Sequence, residues 1–238
     1  MFHPEIDADA VTPPDGNALA EVGGFLRGVL TLPALALPRH PPRGGGSPVR
    51  VVPGYMSGDW STVAIRAYLK SLGYDAKGWG LGTNRGDVRR YADDVIELVR
   101  QDVADHGEPV RLVGWSLGGV ISREVAREVP DLVHQVVTMG TPVVGGPKYT
   151  LAAKSYAEDG WDLEEIAEIT RRRNEVRIEV PVTAVYSRAD RVVAWQSCLD
   201  PNLGNDVRHV EVDVKHAEFG FSPGVLRGVA RVLAPPTD

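Results

Sequence analysis

The chain has 238 residues, of which 43% are hydrophobic and 24% charged, as is ordinary for a globular protein with one sizeable core. The formal net charge is −6, and the one dense basic run, Arg171–Arg173, has acidic neighbours. Both features argue against nucleic acid as a partner, because phosphate binding needs clustered cations. Cys198 is the only cysteine, which excludes an internal disulfide and a cysteine-based metal site.

The first 48 residues are expected to form an N-terminal extension. Its start is acidic and not basic as in a secretory signal, and charges, glycines and Pro33 interrupt its apolar stretch, so we expect a cytoplasmic protein without a transmembrane segment. Apolar residues on one side of Ala18–Leu30 predict a short helix. Such a helix packs on the domain surface or, alternatively, lies at an interface or a substrate entrance, which leaves transient membrane-surface contact open.

Strand and helix patterns alternate through residues 49–238, the predicted main domain. The strands are expected over Val49–Pro53, Tyr74–Trp79, Val110–Val113, Val133–Met139, Val182–Tyr186 and His209–Val214. The helices are expected over Thr62–Leu72, from Val88 to just before Gly107, over Leu117–Val129 and over Pro223–Leu233. This alternation predicts an α/β fold with a mostly parallel central sheet and helices on both faces.

One stretch, residues 147–180, is longer than a single connecting helix needs. The spacing of Leu163, Ile166 and Ala167 suggests an amphipathic helix in this small helical insertion. The insertion is either a lid over the strand ends or an ordinary covering helix with a long loop. If it is a lid, Trp161 and Leu163 are the expected pocket-facing side chains.

The pentapeptide Gly114–Gly118 has the G-x-S-x-G pattern, with Ser116 at its centre, and it lies between a predicted strand and a predicted helix. That context is typical of a nucleophile elbow, a strained turn that exposes a serine above the strand ends. Glycines two positions before and after the serine avoid collisions with neighbouring backbone. The helix amino end favours developing negative charge there. A Gly-rich turn with an idle serine is the alternative.

His216 follows the last predicted strand, from where it can reach across the strand ends to the elbow. A serine hydroxyl needs such a base to take its proton. The other histidines lie in termini, loops or strands, and an exposed loop histidine is the alternative interpretation of His216.

Asp190 lies between Ser116 and His216 in the chain and follows the strand that ends at Tyr186. It is the predicted acid, which fixes the tautomer of the histidine and stabilises its charged form. The order Ser, Asp, His along the chain is the one expected when the serine lies at such an elbow. Its rivals are Asp200 and Asp206, in the following loop, and Asp213, in the last predicted strand.

Two backbone amides are needed to hold an oxyanion. One is expected from Leu117, directly after the serine. The other is expected from the loop after the first core strand, where Gly54 allows a turn and Tyr55 or Met56 supplies the N–H. No run of three glycines follows a histidine there.

The chain resembles the α/β-hydrolase superfamily over about residues 49–233. The likeness rests on the stretches Val52–Tyr55, Gly114–Gly119, Ser187–Val193 and Gly78–Gly82 with Asn84. It is most similar to bacterial esterase and lipase-like serine hydrolases that carry Pro-Gly in place of His-Gly before the oxyanion residue. Pro53 therefore implies different hydrogen bonding in that loop, and Cys198 is expected to be simply buried.

The resemblance implies hydrolysis of carboxylic esters through an acyl-enzyme on Ser116, with a small-molecule or lipid-like ester as substrate and with no metal or cofactor. Thioesterase, amidase and acyltransferase activities use the same triad, and a non-catalytic binding member of the fold is a further alternative. A nucleophilic aspartate is excluded by Ser116 at the elbow. Met56, Trp115, Trp161 and Leu163 are candidate pocket residues, although most tryptophans are expected in the core.

Overall fold

The computed structural model describes residues 43–234 together with Val11 and Pro14. The predicted helix over Ala18–Leu30 lies outside these residues. No helix in the described part of the chain is long and apolar enough to cross a membrane.

The fold is organised around one six-stranded sheet in which every neighbouring pair of strands is parallel. Its strands are β1 (Pro48–Val52), β2 (Asp75–Gly78), β3 (Val110–Trp115), β4 (Val133–Met139), β5 (Val182–Tyr186) and β6 (Val207–Glu211). Their spatial order is β2-β1-β3-β4-β5-β6, so the chain reverses its direction of travel across the sheet between β1 and β3. Ligands of open parallel sheets bind outside the carboxyl ends of the strands near such a switch point.

Helices cover both faces of the sheet, as the sequence predicted. The helices are α1 (Val63–Ser71), α2 (Val88–His106), α3 (Leu117–Glu128), α4 (Ala153–Glu158), α5 (Leu163–Glu175) and α6 (Pro223–Leu233). Helices α2 and α3 pack in one apolar cluster with Leu112 of β3, and α1 and α6 pack in a second cluster with Val113 of the same strand. Since adjacent strand residues point to opposite faces, these two clusters lie on the two sides of the sheet.

The last strand differs from its prediction over His209–Val214. Strand β6 begins at Val207 and ends at Glu211, opposite Tyr186 at the end of β5. The alternation of Val210, Val212 and Val214 continues past this point, but β5 has ended and offers the chain no further partner strand. Asp213 therefore lies beyond the sheet and is exposed. Among the described residues, the other predicted boundaries either agree with the observed ones or lie within two residues of them.

The insertion between β4 and β5 holds a short 3-10 helix over Gly146–Tyr149 and then α4 and α5. Its predicted amphipathic helix is α5, which packs on the 3-10 helix. An isolated antiparallel bridge joins Thr150 to Val193 in the loop after β5. The first half of the insertion is thereby tied to the loop that carries Asp190.

Candidate active site

The turn between β3 and α3 places Ser116 at the carboxyl edge of the sheet. Ser116 has a positive φ of 54° with ψ of −125°, a conformation that an L-residue adopts only when its surroundings enforce it. A Cβ on Gly114 would lie 2.3 Å from the Cα of Gly119, and one on Gly118 would lie 2.2 Å from the carbonyl oxygen of Val52. The glycine pattern is therefore required by close backbone packing of α3 against β1 and β3.

Asp190 and His216 form a buried pair beside this turn. Their closest atoms, Asp190 Oδ2 and His216 Nδ1, are 2.7 Å apart, and both residues are less than 10% exposed. The second oxygen, Oδ1, accepts hydrogen bonds from the amides of Val192 at 2.8 Å and Val193 at 2.9 Å. Two amides thus fix the carboxylate, and the carboxylate in turn fixes the imidazole ring.

The rival aspartates either pair with other residues or are exposed. Asp200 is buried in an ion pair with Arg123, at 2.7 Å, and accepts a hydrogen bond from Asn205. Burial acts to raise the pKa of Asp200, but Arg123 and the hydrogen bonds hold that pKa below its usual range. Asp206 and Asp213 are exposed.

Two residues that the sequence analysis did not single out support the pair. Ser187 Oγ accepts hydrogen bonds from the amides of Ala189 and Val214, so it joins the loop of Asp190 to the segment that leads to His216. Gly140, with φ of 55°, approaches so closely that a Cβ there would lie 3.1 Å from both Asp190 Oδ2 and His216 Nδ1. The sequence does not indicate this role of Gly140, because its partners are distant in the chain.

The two candidate amides in the loop after β1, those of Tyr55 and Met56, differ in their hydrogen bonds. The N–H of Met56 donates to the carbonyl of Asn84 at 2.7 Å, whereas the N–H of Tyr55 has no acceptor among the described residues. The carbonyl of Gly54, on the same trans peptide as that N–H, accepts from Ser57 Oγ at 2.8 Å. The C=O and N–H of a trans peptide point in opposite directions, so the hydrogen bond from Ser57 to this carbonyl also sets the direction of the Tyr55 N–H. Of the two sequence candidates, Tyr55 and not Met56 offers a donor.

Asn84 holds this loop in place through hydrogen bonds. Its side chain, fully buried, donates to the carbonyl of Pro53 at 2.9 Å, and its backbone N–H donates to the carbonyl of Ser57 at 2.8 Å. Asn84 belongs to a stretch that carried the family resemblance, but its partner in the loop could not be inferred from the sequence. Leu117 supplies the other candidate amide as the first residue of α3, where an N–H has no intrahelical acceptor.

A cavity of about 340 Å³ brings the candidate residues together. Ser116, His216, Tyr55, Leu117 and Trp115 all line it. The rest of its wall is mostly apolar and includes Trp60, Pro142, Pro147, Ala152, Tyr156 and Phe221. The cavity therefore offers an apolar site beside a serine, an imidazole and two amides that have no acceptor among the described residues.

Three candidate pocket residues do not line this cavity. Met56 is 54% exposed and Trp161 is 44% exposed, while Leu163 lies at the start of α5, away from the wall. The part of the insertion that lines this cavity is its earlier half, with Pro147, Thr150, Ala152 and Tyr156. Trp60, a wall residue, had no signal in the sequence beyond its side-chain type.

Cys198 is buried, as expected. Burial, and then the negative charge of Asp190, raises the pKa of its thiol well above the usual range. A thiol kept protonated is a poor nucleophile.

The chain matches the alpha/beta hydrolase family over residues 44–236 and belongs to that family. It is 27% identical over 137 residues to pimeloyl-(acyl-carrier protein) methyl ester esterase of Aliivibrio salmonicida. The aligned residues cover 58% of this chain and 45% of that protein. It is 25% identical over 172 residues to the enzyme of the same name from Aliivibrio fischeri, which covers 71% of this chain and 59% of that protein. The chain thus aligns with about half the length of these relatives.

Solved structures share the fold at lower identity. A structure of the metagenome-derived lipolytic enzymes LipS and LipT matches with a TM-score of 0.64 and 13% identity, covering 82% of this chain and 96% of that chain. The monoacylglycerol lipase of Paleococcus ferrophilus matches with a TM-score of 0.55 and 17% identity, covering 79% and 95%. At these identities the likeness concerns the architecture alone.

The close approach at the elbow predicts different outcomes for two glycine-to-alanine changes. Gly114→Ala is expected to give an unfolded or inactive protein, because its Cβ would meet backbone atoms that cannot move independently. Gly228→Ala in α6, where a Cβ meets nothing within 4 Å, is expected to raise the free energy of unfolding by about 0.5–1 kcal/mol. Urea unfolding of both variants measures this, and a Gly114→Ala protein as stable and reactive as the parent would contradict the packing argument.

Proposed function

We propose that this protein is a serine esterase that hydrolyses carboxylic esters with an apolar acyl group. The observation that carries the proposal is the arrangement of Ser116 in a strained turn, His216 held at 2.7 Å by Asp190, and the free amides of Tyr55 and Leu117 around one apolar cavity. The similarity to methyl ester esterases supports the same class of substrate.

The proposed role of His216 follows from its tautomer. Nδ1 faces Asp190, so Nδ1 carries a proton and Nε2 is the nitrogen that accepts the proton of the Ser116 hydroxyl. Ser116 Oγ attacks the acyl carbonyl carbon while Nε2 takes the hydroxyl proton. The imidazolium formed is stabilised by the buried carboxylate of Asp190.

The negative charge then develops on the carbonyl oxygen of the substrate. The amides of Tyr55 and Leu117 donate to that oxygen, and the amino end of α3 adds a favourable dipole. Collapse of the tetrahedral intermediate breaks the bond to the alcohol oxygen, which receives the proton from Nε2. Water then attacks the acyl-enzyme, giving its proton to Nε2, and the second collapse returns Ser116 and a carboxylic acid.

Labelling and turnover of the same preparations test the proposal. The parent protein is expected to react with a fluorophosphonate at Ser116 and to hydrolyse p-nitrophenyl butyrate. Ser116→Ala is expected to lose both, with turnover falling on the order of a million-fold. Folded Ser116→Ala protein that keeps near-parental turnover would refute the nucleophile, and a matched panel of thioester and amide substrates distinguishes esterase from thioesterase and amidase.

Asp190→Asn is expected to fold and to lose on the order of ten-thousand-fold in kcat, because an asparagine amide favours the wrong histidine tautomer. Its remaining oxygen can still accept from the amides of Val192 and Val193, which preserves the loop. Asp206→Asn, the same change at an exposed position, is the matched control and is expected to keep parental kcat. The reverse ranking in steady-state kinetics would mean that the acid is a different residue.

We also propose that the first half of the insertion limits the size of the acyl group, since Pro147, Thr150, Ala152 and Tyr156 line the cavity. Ala152→Phe is expected to reduce hydrolysis of octanoate relative to acetate esters by about tenfold or more, because the larger side chain occupies space that a long chain needs. Trp161→Ala, outside the cavity wall, is expected to leave the chain-length profile unchanged. A profile that shifts with Trp161 and not with Ala152 would place the acyl site elsewhere.

A further inference from the structure

Tyr55 contacts two parts of the molecule in two different ways. Its amide has no acceptor among the described residues, and its phenol reaches the insertion. The Tyr55 Oη atom lies 3.1 Å from Ser155 Oγ and donates to Asp159 Oδ2 at 3.3 Å. Ser155 is in α4 and Asp159 directly follows it.

The rings of Tyr55 and Tyr156 extend this contact. Their centroids are 4.7 Å apart with an interplanar angle of 38°, and Tyr156 is 3% exposed. Burial, and then the neighbouring Tyr55, raises the pKa of Tyr156 above its usual range, so this phenol stays neutral. The loop after β1 therefore contacts α4 through the packed rings of Tyr55 and Tyr156 and, nearer the surface, through the Tyr55 hydroxyl.

Hydrogen bonds hold the loop on either side of the Tyr55 amide, and within residues 43–234 that amide itself has no acceptor. Asn84 anchors Pro53, Met56 and Ser57, and Ser57 fixes the carbonyl of Gly54. Met56, the next residue, has a positive φ of 53°, a conformation that surrounding contacts must maintain. The hydrogen bonds of the Tyr55 hydroxyl add a restraint on this peptide from the side of the insertion, which Asn84 and Ser57 do not provide.

We propose that the Tyr55 hydroxyl, held by Ser155 and Asp159, is a positioning group that fixes the Tyr55 amide for the oxyanion, so that the insertion controls catalysis as well as access. The inference rests on the esterase function proposed above. The hydroxyl touches no reacting atom, and its effect passes through the backbone of Tyr55. An oxyanion donor acts fully only when it lies within hydrogen-bond range of the oxygen in the transition state. Removing the hydroxyl therefore lowers kcat and leaves KM nearly constant.

The test is steady-state hydrolysis of p-nitrophenyl butyrate by the full chain. Tyr55→Phe is expected to lower kcat by about fivefold to tenfold, the factor that the loss of one intramolecular hydrogen bond gives, with KM within about twofold. Tyr186→Phe is the matched control, because its hydroxyl also donates to a carboxylate, Glu211, but its side chain lies outside the cavity wall. That variant is expected to keep parental kcat.

A second set of variants reaches the same contact from the insertion. Ser155→Ala combined with Asp159→Ala is expected to lower kcat as Tyr55→Phe does, and the three changes together are expected to lower it no further, since one interaction is removed in each case. Ser155→Thr, which keeps a hydroxyl, is expected to retain parental kcat. Thermal unfolding of each variant verifies that the protein remains folded.

Different results would contradict the positioning role of the Tyr55 hydroxyl and the proposed esterase function. A kcat of Tyr55→Phe within twofold of the parent, additive losses in the combined variant, or an increase in KM with unchanged kcat would each overturn the positioning role while leaving the esterase intact. A parent protein that neither hydrolyses esters nor reacts at Ser116 with fluorophosphonate would instead overturn the proposed function itself.

Discussion

The close approach of α3 to the sheet at the turn after β3 is the constraint on which the site depends. Gly114, Gly118 and Gly119 leave no space for a Cβ, because the backbone of β1, the helix itself and Thr141 occupy it. This contact forces Ser116 into a positive φ and directs its side chain out of the turn. The strain is maintained by packing of the central strands, which are the most deeply buried part of the sheet. A serine in an ordinary turn would have neither this exposure nor a helix amino end behind it.

The parallel sheet brings residues that are far apart in the chain close together in space. The loops after β1, β3, β5 and β6 carry Tyr55, Ser116, Asp190 and His216, and parallel strands end at the same edge. Short tethers then set the finer geometry. Ser187 joins the last two loops, and Asn84 holds the loop after β1. These tethers are buried side chains bonded to backbone, a combination that gives direction as well as stability.

The insertion contributes to the site through its first half. Residues between Pro147 and Tyr156 form part of the cavity wall. The Thr150–Val193 bridge joins this segment to the loop that carries Asp190, and α4 contacts Tyr55. Helix α5 lies farther out, with Arg171 and Arg172 paired to Glu168 on an exposed face. The first half of the insertion is thus bonded both to the loop of Asp190 and to the loop of Tyr55. It is well placed to couple the shape of the cavity to the positions of these two residues.

The sequence by itself determined the alternation of strands and helices, the parallel sheet and the elbow, because hydrophobic period, glycine spacing and turn residues are local signals. It also selected Asp190 and His216 by their positions after strands, and the structure places the two side chains in contact. The tertiary structure alone decided which amide of the Tyr55–Met56 pair is free, since that depends on a hydrogen bond to Asn84 from another loop. It likewise decided that Ala152 and Tyr156 line the cavity while Trp161 and Leu163 do not, and that β6 ends at Glu211 where its neighbour ends. Each of these features is set by contacts between residues far apart in the chain, and the periodicity of a single segment contains no information about them.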